Sequence, residues 1–219
     1  FLPLVSSVFI FLSKEKKNNY SAIYISLFSS TATFFLSLFL WHSLDINNAD
    51  FQFVEEQSWI NNFIKFKLGV DGISILFIVL TTFITPICII SCINSIKARV
   101  KEFLIAILIL ETFMIGVFCS LDLVIFYLFF EAGLIPMFLI IGIWGGPRKV
   151  YSAFKFFLFT LLGSVLMLVA IIAIYWITGT TDVTKILQTG IPPEFQYLLW
   201  LAFFSSFAVK MPMWPVHTW

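Results

Sequence analysis

Residues 122–144 read DLVIFYLFFEAGLIPMFLIIGIW, and between Leu123 and Trp144 the only charged residue is Glu131. A helix that crosses the hydrocarbon core takes about 20 mostly apolar residues, so this stretch predicts a transmembrane helix. At about 1.5 Å per residue, Glu131 lies about 14 Å deep, near mid-membrane. Pro136 has no N–H for the carbonyl of Ala132, which frees a polar backbone group one residue from the carboxylate.

The rest of the chain fits the same solvent. Of 219 residues, 60% are apolar and 11% charged, with a mean hydropathy of +1.01. Soluble domains carry about a quarter charged residues. The net charge of +1 excludes a nucleic-acid partner, which would require a basic face. Cys88, Cys92 and Cys119 lie in or beside apolar runs and are expected as small buried hydrophobes; without accompanying histidines, no metal site is indicated. The chain begins at Phe1 inside an apolar run and ends at Trp219 within a motif, and so is expected to be an N-terminal fragment; no cleavable leader is recognisable.

Seven spans are expected, at 1–12, 20–41, 72–94, 102–119, 122–144, 151–177 and 197 to about 211, the last broken by proline. One long hydrophilic stretch, 42–71, is the place for structure outside the membrane. The domain boundary is set there, with 1–71 as N-terminal helices plus outer loop and 72–219 as the remaining helices. Alternate loops hold Lys14, Lys16, Lys17, Lys97, Arg99, Lys101, Arg148 and Lys149, eight cations in all; the others hold Lys65, Lys67 and Lys185. By the positive-inside rule the first set faces the cytoplasm or matrix, and the chain starts on the outer side.

Four charges remain inside the spans: Glu111, Glu131, Lys155 and Lys210. Such groups are costly in hydrocarbon, face the bundle interior and mark ion pathways. Lys210 precedes Pro212 and Pro215, so the seventh helix breaks beside an ammonium. Broken helices carrying charge form ion sites in transporters. His217 follows seven residues later and suits a proton relay. Glu111 lies eight residues before the turn at 119–122 and Glu131 nine after it, so a hairpin puts both at one depth; whether they face each other depends on helix rotation. Lys155 lies near the basic loop, where it serves the relay or snorkels to the interface.

Three runs carry a resemblance: Leu110-Glu111-Thr112-Phe113-Met114-Ile115-Gly116, Phe130-Glu131-Ala132-Gly133-Leu134-Ile135-Pro136-Met137, and Val209-Lys210-Met211-Pro212-Met213-Trp214-Pro215-Val216-His217-Thr218-Trp219. Ala153-Phe154-Lys155-Phe156-Phe157 and Gly69-Val70-Asp71-Gly72 add to it. They resemble the antiporter-like chains of proton-pumping NADH:quinone oxidoreductase, respiratory complex I, and most of all its M chain, the mitochondrial subunit four. The resemblance implies an all-α polytopic bundle with inverted repeats, of which this chain holds the first, with a proline-broken seventh helix. It implies that Glu131 and Lys210 form the ion pair of a proton half-channel, with Lys155, His217 and Glu111 as relay candidates. It also implies other complex I membrane subunits as partners, in a bacterial inner or mitochondrial inner membrane. NADH, FMN, iron–sulfur clusters and quinone would be bound by partner subunits, since this chain has no dinucleotide fingerprint and no cysteine cluster. The alternative is an Mrp-type sodium/proton antiporter subunit, which uses the same pair without NADH; a purely structural scaffold is a third.

Overall fold

The computed structural model describes residues 1–13, 20–45, 47–48, 50–60 and 64–219. The described elements are α1 (Leu2–Leu12), α2 (Tyr20–His42), β1 (Gln52–Ile60), β2 (Ile64–Val70), α3 (Ser74–Cys92), α4 (Val100–Cys119), α5 (Leu123–Ala132), α6 (Leu134–Trp144), α7 (Lys149–Thr178), α8 (Val183–Thr189) and α9 (Pro193–Lys210). Among the described residues, five crossings are long and apolar enough to span a membrane: α2, α3, α4, the α5–α6 unit and α7. Of the other two expected spans, α1 has 11 residues, and α9 has 18 with Glu194 near its start and Lys210 at its end. Lys14, Lys16 and Lys17, on which part of the orientation rests, fall outside the described residues.

Packing follows membrane rules. Helix α2 turns Ala22, Ser26, Ser29, Ser30, Thr33 and Ser37 inward, while Phe28 and Phe35 are 76% and 67% exposed. Small residues let helix backbones approach where no hydrophobic force drives association in lipid. Ser37 Oγ and Thr82 Oγ1 share a buried hydrogen bond of 2.8 Å, which ties α2 to α3. Helix α4 packs against α1, α2, α3, α5 and α6, and α7 against α5, α6 and α9. Gly116 lets α4 meet α5, since a Cβ there would fall 2.7 Å from the Phe129 ring. Cys88 is exposed and Cys92 and Cys119 are half-buried, so the expectation of buried cysteines is corrected: rotation of α3 turns Cys88 to the outer face of the bundle.

Part of the hydrophilic stretch 42–71 forms an antiparallel hairpin, β1 against β2, with Gln52 opposite Val70 and Glu56 opposite Lys67. Strand β1 bulges between Gln52 and Glu55, where Phe53 takes a positive φ of 52°. Asp71 and Ser74 cap α3 reciprocally, Ser74 N–H donating to Asp71 Oδ1 (2.7 Å) and Asp71 N–H to Ser74 Oγ (2.9 Å).

A polar lattice holds the hairpin to the helix ends. The Lys67 ammonium donates to both oxygens of Asp182 (2.8 and 3.0 Å) and to Thr184 Oγ1 (2.8 Å), all three residues being buried or nearly so. Asp182 also caps α8 through the Thr184 N–H. Asp122 caps α5, as its position suggested, and accepts from Thr181 Oγ1 at 2.6 Å. Backbone bonds from Leu121 N–H to the Lys67 carbonyl (3.0 Å) and from Leu123 N–H to the Thr181 carbonyl (2.9 Å) complete the seam. Burial by itself would raise the Asp182 carboxyl, but the hydrogen bonds from Lys67 and Thr184 outweigh it and hold the group below its ordinary value.

Asp182→Asn leaves the buried Lys67 ammonium with only the Glu56 carboxylate, 4.0 Å away and partly exposed, as counter-charge, and breaking a buried pair from one side costs up to about 3–5 kcal/mol. The expected result is faster amide hydrogen exchange at Leu121 than in the parent chain; unchanged exchange would show that the lattice does not fasten the hairpin. Because the folded Asp182 titrates below its ordinary 3.8, its contribution is intact above that value and is lost as pH falls through the lower, folded-state value. Cleavage of the hairpin by an acid-active protease is therefore expected to begin only below that pH, and to begin at higher pH in the asparagine variant.

Candidate functional site: a broken helix beside a buried carboxylate

Helix α9 ends where its sequence removes donors. Pro212 and Pro215 follow Lys210, and residues 211–219 continue in turns and irregular backbone. The freed Ala208 carbonyl accepts instead from Met213 N–H at 2.9 Å, and the Val209 carbonyl from Trp219 Nε1 at 2.8 Å. These bonds meet the demand that backbone polar groups at membrane depth be satisfied within the protein.

The break presents Lys210 to α5. Its ammonium donates to the Phe130 carbonyl (3.2 Å) and lies 4.1 Å from the centroid of the Phe130 ring, a cation–π geometry. Phe126, Phe130 and Phe207 surround this contact, with ring centroids 5.8–6.4 Å apart. Glu131 is the next residue along α5. It lies close enough to Lys210 and to Ser164 of α7 to feel both, and its Oε1 is buried without a partner. The expected pair is thus adjacent without a direct ion contact: no Lys210–Glu131 approach within 4.0 Å occurs among the described salt bridges, and the ammonium binds the neighbouring residue.

Close helix contact fixes this arrangement. A Cβ at Gly163 would lie 2.9 Å from Val209, so only glycine lets α7 approach α9 this closely one residue from Lys210. Gly163, Ser164, Phe130 and Tyr127 were not singled out from the sequence. Thr160 and Ser164, four apart on an otherwise apolar helix and both buried, carried a readable signal.

The remaining candidates separate. Lys155 is half-buried and donates to the Thr218 carbonyl, so the tail after the break folds back over α7. Trp219 packs on Phe156 with ring centroids 5.0 Å apart. His217 sits between these anchors with its side chain exposed. The helix does not resume before Trp219, so the two-turn spacing from Lys210 to His217 is replaced by an irregular segment. Glu111 is 2% exposed, and both of its oxygens lack partners. It lines a cleft with residues of α3 and α6, whereas Glu131 faces α7 and α9. The two carboxylates are therefore not brought together.

The family described as NADH:quinone oxidoreductase/Mrp antiporter, transmembrane, matches residues 120–219. Subunit M of the NADH-quinone oxidoreductase of Rhodobacter capsulatus is 52% identical over 235 residues, covering all of this chain and 46% of the relative. Chain 4 of the NADH-ubiquinone oxidoreductase of Marchantia polymorpha is 50% identical over 220 residues, covering all of this chain and 44% of that protein. The chain thus spans somewhat less than half the length of these curated relatives. Among solved structures, a chain of respiratory complex I from Thermus thermophilus superposes over the whole chain and 44% of its own length, at TM-score 0.85 and 26% identity. The Mrp complex of Dietzia shares the fold at TM-score 0.79 and 15% identity, covering 95% of this chain and 23% of its own. By half-identical sequence along its full length and by fold, the chain belongs to the antiporter-like membrane subunits of NADH:quinone oxidoreductase, on the subunit M and chain 4 branch.

Proposed function

We propose that the chain supplies part of a proton half-channel in the membrane arm of an NADH:quinone oxidoreductase. The observation that carries this is Lys210, held at the break of α9 by the Phe130 carbonyl, one residue from the half-buried carboxyl of Glu131. An isolated charge in hydrocarbon is costly, so each of the two is stabilised while the other stays near and charged. When they draw together, Glu131 is held as carboxylate and Lys210 as ammonium. When a change elsewhere in the complex pulls them apart, the cheaper course is for each to become neutral. Lys210 then gives up a proton, and Glu131 takes one.

Lys155, tied to the Thr218 carbonyl, and His217 on the folded-back segment stand next along the path. Glu111 lies in a different cleft and has no place in it. Redox cofactors belong in this proposal to partner subunits, and other membrane subunits adjoin the chain, with its N-terminus on the outer face of a bacterial or mitochondrial inner membrane. The sodium/proton antiporter reading draws on the shared fold and the family's joint description; half-identity to quinone oxidoreductase subunits favours the first.

In the full-length chain within its complex, Lys210→Ala is expected to lower NADH-driven quinone reduction and proton pumping together by at least roughly tenfold, a conservative share of the ~10²–10⁴-fold that a positioned proton-transfer group contributes. The complex should stay intact on a native gel. Sodium/proton exchange collapsing while NADH oxidation and pumping persist would establish the antiporter instead.

Gly163→Val tests the packing that aims Lys210. Forcing a side chain into the 2.9 Å gap to Val209 is expected to destabilise the bundle by about 1–3 kcal/mol and to reduce pumping. Adding Val209→Ala should restore part of both; pumping untouched by the valine would show that α7–α9 contact does not position the lysine.

A further inference from the structure

The cleft between α3, α4 and α6 holds a charge-bearing group with nothing to meet it. Its volume is about 410 Å³, within the range of sites for small molecules, roughly 300–1,000 Å³. Its walls include Thr81, Thr85 and Cys88 of α3, Ile107 of α4 and Ile140 of α6. Glu111 enters it from α4 with both oxygens buried and unpartnered. No lysine, arginine or histidine is among the lining residues. The hydroxyls of Thr81 and Thr85 donate to the carbonyls of Phe77 (2.8 Å) and Thr81 (2.9 Å) on their own helix, so they are not spent on the carboxyl. At the cleft, Ile84, Cys88 and Met114 are exposed on the apolar outer face of the bundle, so the cleft opens on that face.

We propose that this cleft is a binding site for lipophilic amines, with Glu111 as the counter-ion. The site offers one carboxyl that lacks a donor, apolar walls for a hydrocarbon body, and access from a medium in which amphiphiles concentrate. The entering amine takes the Glu111 proton and becomes an ammonium. The resulting ion pair gives the carboxylate the hydrogen bonds that the protein does not supply. Without such a ligand, the cheaper form of a carboxyl in this setting is the protonated acid. That acid is also the form attacked by hydrophobic carbodiimides: its proton moves to a carbodiimide nitrogen as the carboxyl oxygen bonds to the central carbon. Acyl migration to nitrogen then leaves a stable N-acylurea, with the whole reagent added and nothing released.

The test uses the full-length chain in its assembled complex in native membranes. Dicyclohexylcarbodiimide is added, and the peptide containing Glu111 is followed by mass spectrometry, alone and with N,N-dimethyloctylamine or octanol present. A one-reagent adduct on Glu111 is expected, slowed about tenfold by N,N-dimethyloctylamine, a tertiary amine that forms the ion pair but no amide, equivalent to about 1.4 kcal/mol of competing binding, and unaffected by octanol at the same concentration. Absence of the adduct while other membrane carboxyls react would overturn the site, and equal protection by octanol would overturn the role of the amine. Ile140→Trp, which fills the cleft while keeping Glu111, should abolish both labelling and protection; labelling that persists would place the reactive carboxyl elsewhere. The readout is a covalent mass, so these outcomes are independent of whether the Glu131–Lys210 path pumps protons.

Discussion

An ammonium carried into hydrocarbon has to be given oxygen, and Lys210 receives it from the backbone of the helix opposite, at the Phe130 carbonyl. That contact ties together features that would otherwise be unrelated. Helix α9 ends at Lys210 because prolines deny it further donors, and its loose carbonyls are taken up by Met213 and the Trp219 indole. Gly163 lets α7 lie close enough to hold α9 in place. Aromatic rings of α5 and α9 wall the charge off from lipid. Glu131 then stands one residue from the acceptor, near enough to feel the lysine without binding it directly.

At the hairpin end of the bundle the chain solves a different problem. The hairpin is small, and a two-stranded sheet is marginally stable alone. The Lys67–Asp182 pair and the Leu121 N–H to Lys67 carbonyl bond fasten it to the turns after α7 and α4, which the Asp122–Thr181 bond joins to each other. The same carboxylates cap α5 and α8, so one group of residues ends helices and joins elements far apart in sequence. The five long apolar crossings below are thereby held at one end by polar bonds, while small residues and ring contacts hold them along their length.

Helical spans, the proline break, the Asp122 cap and the start of α3 near Asp71-Gly72 were legible because each depends on neighbours within a few residues. The run from Leu123 to Trp144 crosses as expected, with its irregularity at Gly133. The hairpin was less legible: the alternation in β2 is short, and β1 carries bulges that spoil its period. Lys67 looked like an ordinary loop cation, because its partner Asp182 is 115 residues away. Glu111 and Glu131 share a depth, which spacing supplies, but rotation about the helix axes sends them to separate neighbours.

The sequence by itself determined that this chain lies in a bilayer, where its long apolar crossings run, and which charges are stranded at depth, since hydrophobicity and proline act locally. Tertiary structure alone decided what those charges meet. Helix rotation and glycine-sized gaps are set by packing among distant segments, so they gave Lys210 a carbonyl and Lys67 a carboxylate, and left Glu111 facing a cleft with no cation in it.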